Sequence, residues 1–289
     1  MRPPTPDAAT GSDRGGVESF DLTVFAHRVR VVHREGRSGE EGSPASRVPL
    51  VLLNGIGARL ELLAPFVDHL DERIPVIRFD VPGVGESPAP LTPYRFSGMA
   101  ALVRRLVKRL GYDRADVLGI SWGGGLAQQL AWQSPRFCRR VVLCATATGA
   151  LMFPAGPQVL SKMITPQRYR DPEYARQVAA ELYGGSMRQA PEVAGSLLAA
   201  RPGLGSSWGY ACQLLAGWGW TSLPLLPFIR QRTLILAGDD DPIIPLANGR
   251  VMSTLIPRSR LHIYNDGHLG LVTSADELGP VVSAFLLRP

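Results

Sequence analysis

ADVLGISWGGGLAQQLAWQSP, residues 115–135, runs from a short apolar segment through a serine fenced by glycines into a segment with helical spacing. Its centre, 119-GISWG-123, fits G-x-S-x-G between a predicted strand (115–120) and a predicted helix (123–135), the context that motif requires. The glycines have a steric purpose. A nucleophile on a sharp, strained turn needs neighbours without side chains two positions away, so that strand and helix can approach each other. The other readings of such a turn are a plain glycine-rich connection and a phosphate loop at a helix N-terminus. No G-K-[ST] follows, and no paired glycine pattern with a distal acid supports a dinucleotide. Motif and context favour a nucleophile at Ser121.

Around this unit the chain alternates. Residues 19–34 read as two short strands about a turn, and 36–47 as a solvated loop. VPLVLLN (48–54) and IPVIRFD (74–80) are continuous apolar runs of the kind a parallel sheet buries on both faces. Residues 58–70 and 96–111 have helical spacing, and RRVVLCAT (139–146) is a further strand. The rhythm breaks near 149, where helical pieces, Gly/Pro breaks and a run of aromatics extend to 228. It resumes with RTLILAG (232–238), a helix near 246–255, SRLHIYN (259–265) and a last helix over 274–287. The expected class is α/β, a mostly parallel central sheet flanked by helices and interrupted once. The expected division is a disordered tail (1–18), a core (19–148), an inserted helical cap (149–228) and the rest of the core (229–289).

A serine hydroxyl is a weak nucleophile at neutral pH and needs a base. Of five histidines, His27 and His33 fall on the early hairpin, His69 ends a helix and His262 lies inside a strand. His268, in NDGHLG after the last strand, is the one placed at the carboxyl edge where Ser121 is expected. An oxyanion formed during ester cleavage needs backbone N–H donors. Trp122, following the serine, is one candidate; Ile56, in 53-LNGIGA-58 after the first parallel strand, is the other. The order serine, acid, histidine asks for a carboxylate at the end of a core strand in between. LAGDDDPIIP (236–245) offers Asp239, Asp240 and Asp241. A hard-cation loop would draw ligands at alternate positions with a distal Glu, and no such pattern follows.

Composition bounds the alternatives. The 289 residues carry a formal charge of +6, almost all of it arginine; Lys108 and Lys162 are the only lysines. No aromatics interleave with the Arg-rich stretches as in a nucleic-acid stacking platform, so solvated faces are expected and no nucleic-acid partner. Three cysteines, Cys138, Cys144 and Cys212, suit buried thiols in a reducing compartment. No metal-ligand spacing, secretory signal or membrane-spanning run is evident. The expectation is a cytoplasmic protein without metal or cofactor.

FDVPGVG (79–85), GISWGG, GDDDP and DGHL together resemble the α/β-hydrolase superfamily. LNGIGA, PYRF (93–96), SWGGGLAQQ, LYGG (182–185), LLAGWGWTS (214–222) and LAGDDDPIIP resemble, in the same order, the intracellular medium-chain-length polyhydroxyalkanoate depolymerases, from about residue 48 to the C-terminus. The resemblance implies an α/β-hydrolase fold with Ser121 as nucleophile, Asp241 as orienting acid and His268 as base. Asp240 is the alternative acid if the strand ends one residue earlier. It also implies hydrolysis of 3-hydroxyacyl ester bonds in a storage polyester, with possible partners the polyester and its granule surface. Trp208, Tyr210, Trp218, Trp220 and Phe228 would then line a greasy acyl pocket, rest on a granule, or simply pack the cap. Competing functions are a carboxylesterase, lactonase or thioesterase acting on small soluble substrates, carbon–carbon bond hydrolysis, and a granule-coating protein without catalysis.

Overall fold

The computed structural model describes residues 16–38, 46–198 and 206–288. Most of the expected tail lies outside them. Val17 and Glu18, however, pair with Arg34 and His33, so the first strand takes in the last two residues assigned to the tail.

In chain order the core begins with β1 (Val17–Val24), β2 (His27–Arg34), β3 (Leu50–Leu53), α1 (Ala64–Asp68), β4 (Val76–Phe79) and α2 (Phe96–Arg109). It continues with β5 (Ala115–Ile120), α3 (Trp122–Gln133) and β6 (Cys138–Cys144). An insertion follows, with α4 (Pro157–Met163), α5 (Pro172–Tyr183), α6 (Pro191–Leu198) and α7 (Ser207–Gly217) linked by 3-10 turns. The chain then returns to β7 (Arg232–Gly238), α8 (Leu246–Leu255), β8 (Ser259–Tyr264), α9 (Gly270–Thr273) and α10 (Ala275–Leu287). The single helix expected over 58–70 is instead a 3-10 turn (Leu60–Leu63) followed by α1. Pro65 causes the break, because proline is accommodated only in a helix's first turn.

The eight strands form one sheet in the order β1-β2-β4-β3-β5-β6-β7-β8. β1, β2 and β4 pair antiparallel, and β4 through β8 run parallel. Side chains alternate between two buried layers. Leu50 and Leu52 of β3 share one layer with Phe66, Leu278 and Val282 of α1 and α10. Val51 and Leu53 face the other, with Met99 of α2, Leu126 of α3 and Met252 of α8. Burial on both faces explains why these strands read as unbroken apolar runs. Cys138 and Cys144 are buried on β6, and burial raises both thiols well above their ordinary pKa, leaving them unreactive.

β3 is followed in sequence by β4 on one side and paired on the other with β5. The strand order therefore reverses between β3 and β5, and the loops after these strands flank a crevice at the carboxyl edge, the place where open α/β sheets bind ligands.

Candidate active site

Ser121 links β5 to α3 with φ 54° and ψ −119°, a left-handed conformation that a residue with a side chain adopts only under constraint. The constraint comes from both sides. Its N–H donates to Cys144 O (3.0 Å), and its carbonyl accepts from Gly124 N (2.9 Å) and Thr146 Oγ1 (2.7 Å). The neighbouring glycines are sterically obligatory. A Cβ on Gly119 would lie 2.2 Å from Gly123 O, and one on Gly123 would lie 2.0 Å from Leu53 O.

His268 follows β8 in a loop, 4% exposed, with Nδ1 2.8 Å from Asp241 Oδ2. The other Asp241 oxygen, Oδ1, accepts from Ile243 N (2.9 Å) and Ile244 N (2.8 Å), which fixes the carboxylate plane. Ser121 and His268 line one narrow cavity of about 20 Å³, together with Gly55, Ile56 and apolar side chains including Leu62, Met163 and Ile243. In the loop after β3, Ala58 N donates to Gly55 O and Gly57 N to Gln213 Oε1. Among the described residues no acceptor takes the N–H of Ile56 or of Trp122. Two backbone donors thus remain uncommitted beside Ser121, one in the loop after β3 and one at the first residue of α3.

Comparison with known proteins identifies the family. Residues 48–275 match the family model described as alpha/beta hydrolase fold. The chain belongs to the α/β-hydrolase family. Over 238 residues it is 49% identical to a poly(3-hydroxyalkanoate) depolymerase of Ectopseudomonas oleovorans, covering 82% of this chain and 84% of that one. It is 28% identical to 3-oxoadipate enol-lactonase 2 of Acinetobacter baylyi, over 84% of this chain and 90% of the relative. A solved enol-lactonase from Burkholderia xenovorans LB400 superposes with a TM-score of 0.76 at 25% identity, over 93% of this chain and all of the other. The chain is a serine ester hydrolase similar to polyhydroxyalkanoate depolymerases. Among its described residues no helix is long and apolar enough to cross a membrane.

In this α/β-hydrolase the three adjacent aspartates separate by what they touch. Asp241 alone meets His268. Asp240 turns away and clamps the insertion: its carboxylate takes Gly185 N (2.7 Å), Arg188 Nε (2.6 Å) and Arg188 Nη2 (2.9 Å). The Arg188 guanidinium holds the Asp240 carboxyl below its usual pKa. Asp240, the alternative acid, therefore bonds to the insertion and not to His268.

Asp266, two residues before His268, carries the loop and was not legible as a site residue. Its Oδ1 accepts from Ser186 N and Gly267 N, and its Oδ2 from the Thr273 and Ser274 hydroxyls, all at 2.6–2.8 Å. Burial works against the charge, but these four donors outweigh it and depress the pKa. The LYGG stretch completes the junction. His268 N donates to Tyr183 O (2.8 Å), the Tyr183 ring stacks on the imidazole at 6.4 Å, and a Cβ on Gly185 would lie 2.0 Å from Asp266 Oδ1.

Gln213 of α7, 1% exposed, is the second residue the sequence did not single out. Its side-chain oxygen takes Gly57 N, and its backbone oxygen takes the Trp122 indole Nε1, each at 2.8 Å. One residue of the insertion thus ties down both segments that carry the uncommitted N–H groups.

The aromatic residues expected in the acyl pocket lie elsewhere. Trp208 is part exposed and bonds Pro90 O, while Trp218 is 76% exposed. Trp220 packs edge-on against Phe96 and donates to Gln129 Oε1 (2.9 Å) on the α2–α3 side. Tyr210 is buried with its hydroxyl on Met163 O (2.6 Å), one layer outside the cavity. Phe228 is exposed. The indole N–H groups of Trp208 and Trp220 need acceptors, and those acceptors lie on the core's flank rather than at Ser121.

Proposed function

We propose that this protein hydrolyses the 3-hydroxyacyl ester bonds of an intracellular medium-chain-length polyhydroxyalkanoate, with Ser121, His268 and Asp241 as its triad and the β6–β7 insertion as its cap. The observation that carries the reading is the buried His268–Asp241 pair, which shares one apolar cavity with a serine held at positive φ. With Nδ1–H donated to Asp241, the imidazole presents Nε2 as the proton acceptor.

Ser121 Oγ forms a bond to the ester carbonyl carbon, and its proton passes to His268 Nε2. The oxyanion is taken by the N–H groups of Ile56 and Trp122, a donor pair in which each member is worth ~10²–10³-fold in rate. Collapse expels the 3-hydroxy group of the departing chain, which leaves with the proton from Nε2. Water then attacks the acyl-serine by the reverse proton route, releasing a carboxylic acid and restoring Ser121. Water is the only co-reactant this chemistry uses. The apolar lining suits alkyl side chains, and the 49% identity to a depolymerase supports a polyester substrate. Exposed Leu151, Phe153, Ile164 and Trp218 on the insertion would favour contact with a greasy granule in the cytoplasm.

Similarity to enol-lactonases and the small volume of the cavity favour the second reading, a hydrolase of small soluble esters or lactones. Turnover of medium-chain polyester latex against short p-nitrophenyl esters separates the two. Release of 3-hydroxy acids from latex by the wild type, abolished in a folded Ser121→Ala variant, is the expected result. Activity confined to soluble esters would reject the polyester reading. Binding to latex with no product from either substrate would point to a catalytically silent granule protein.

A further inference from the structure

Arg168 lies in the 3-10 turn Gln167–Tyr169 of the insertion and is 1% exposed, the largest of the fully buried side chains. Lone guanidinium groups are costly to bury, and proteins normally pair them with a carboxylate. Among the described residues no carboxylate forms an ion pair with Arg168. Its Nη1 reaches only the carbonyls of Thr165 (3.2 Å) and, at the edge of hydrogen bonding, Lys162 (3.5 Å). Its Nε has no acceptor. The charge rests over the rings of Tyr169 (4.6 Å) and Tyr210 (5.7 Å), which tolerate a cation but neutralise nothing. Arg168 also lines the cavity that holds Ser121 and His268, and among the described residues is the only arginine or lysine to do so. Tyr183, on the same wall, is buried with its hydroxyl unpartnered. An otherwise apolar cavity therefore contains one permanent cation with no carboxylate partner and a free Nε–H, beside one Tyr183 hydroxyl with no acceptor.

We propose that Arg168, assisted by the Tyr183 hydroxyl, binds a carboxylate of the substrate, so that the enzyme prefers ester chains ending in a free acid. A guanidinium offers a planar set of N–H donors that a carboxylate can bridge. The candidates are the acid ends of 3-hydroxyacyl chains and the oligomers that each hydrolysis leaves behind. The inference rests on ester hydrolysis at Ser121 and names which esters the site favours. It makes the enzyme a chain-end and oligomer hydrolase.

The test compares a 3-hydroxyoctanoate dimer as free acid and as methyl ester, with neutral p-nitrophenyl octanoate as reference. For the wild type, kcat/KM for the acid should exceed that for the methyl ester by about tenfold or more. Arg168→Gln should erase that preference, chiefly through KM, so that the acid-to-methyl-ester ratio of kcat/KM falls to about one. Arg168→Lys, which keeps the charge, should retain part of it. Octanoate should inhibit the wild type competitively and Arg168→Gln far less, with octanol inhibiting both alike. A wild type indifferent to the free acid overturns the proposal. So does an Arg168→Gln variant that loses acid and methyl ester turnover equally, which would mark the arginine as a structural post or a ligand of the ester carbonyl. If Arg168→Gln does not fold, a reduced but persisting preference in Arg168→Lys supports the assignment, and wild-type inhibition by octanoate in a neutral Arg168→Met refutes it. A wild type that turns over p-nitrophenyl octanoate but neither dimer refutes the polyester function; the octanoate–octanol comparison still decides the carboxylate site.

Discussion

Replacing Asp241 by asparagine exchanges one oxygen for an NH2 group at nearly constant volume. The surroundings dictate how the amide sits. Its oxygen must stay on the N–H groups of Ile243 and Ile244, because a flipped NH2 would face two donors. Orphaning those donors costs about 1–3 kcal/mol each, so the flipped state lies roughly 2–6 kcal/mol higher. The NH2 then points at His268 Nδ1, which must accept, and the ring proton moves to Nε2, the atom required to take the Ser121 proton. At about 1.4 kcal/mol per tenfold, the productive arrangement is populated roughly 30- to 10⁴-fold less, and the imidazolium also loses its anionic partner. Asp241→Asn should therefore lower kcat by about 10³-fold, with KM and melting temperature little changed because both backbone bonds survive. Asp240→Asn removes only a half-exposed ion pair with Arg188, worth at most about 1 kcal/mol, and should leave kcat within about threefold. The assay is p-nitrophenyl ester turnover with thermal melts run in parallel. A loss below tenfold in Asp241→Asn, or equal losses in the two variants, would refute the assignment.

Gln213→Leu strands the part-buried Gly57 N–H while the backbone bond to the Trp122 indole persists. We expect about 1–3 kcal/mol of destabilisation and a kcat loss exceeding any change in KM, read by melts and steady-state kinetics. Gly123→Ala places a Cβ 2.0 Å from Leu53 O, so soluble, folded protein should be nearly lost; near-native melting would disprove the close-approach reading. Because folding depresses the Asp266 pKa, its contribution is present above the ordinary carboxylate value of about 3.9 and lost as pH falls through the lower folded value. Asp266→Asn should accordingly destabilise at neutral pH by about 1–3 kcal/mol, with the gap closing in acid denaturation curves as pH falls below the ordinary carboxylate range. A gap that widens on acidification would contradict it.

Local sequence was sufficient wherever local physics decides the outcome. The strands β3, β5 and β7 announced themselves because burial on both faces removes polar residues from consecutive positions. The turn at Ser121 did so because strand and helix can meet there only across glycines. His268 and the aspartates of 239–241 followed from chain order and strand ends. What could not be read was any property that depends on which distant segment arrives opposite. The roles of Asp240 and Asp266 are set by Gly185, Ser186 and Arg188 of the insertion, brought to the sheet edge from over fifty positions away. Gln213 looked like one polar residue on a mixed helix until its packing placed it under both segments flanking Ser121. The family resemblance offered the insertion's tryptophans as pocket lining, granule contact or cap packing, and the indole N–H groups of Trp208 and Trp220 find acceptors on the outside of the core. Nothing marks Arg168 out among the arginines of the sequence, since a sequence records charge but not burial. The sequence determined the sheet, the serine turn and the histidine that faces it; tertiary packing decided which aspartate meets that histidine and which cation shares its cavity, because those choices depend on side-chain direction between segments far apart in the chain.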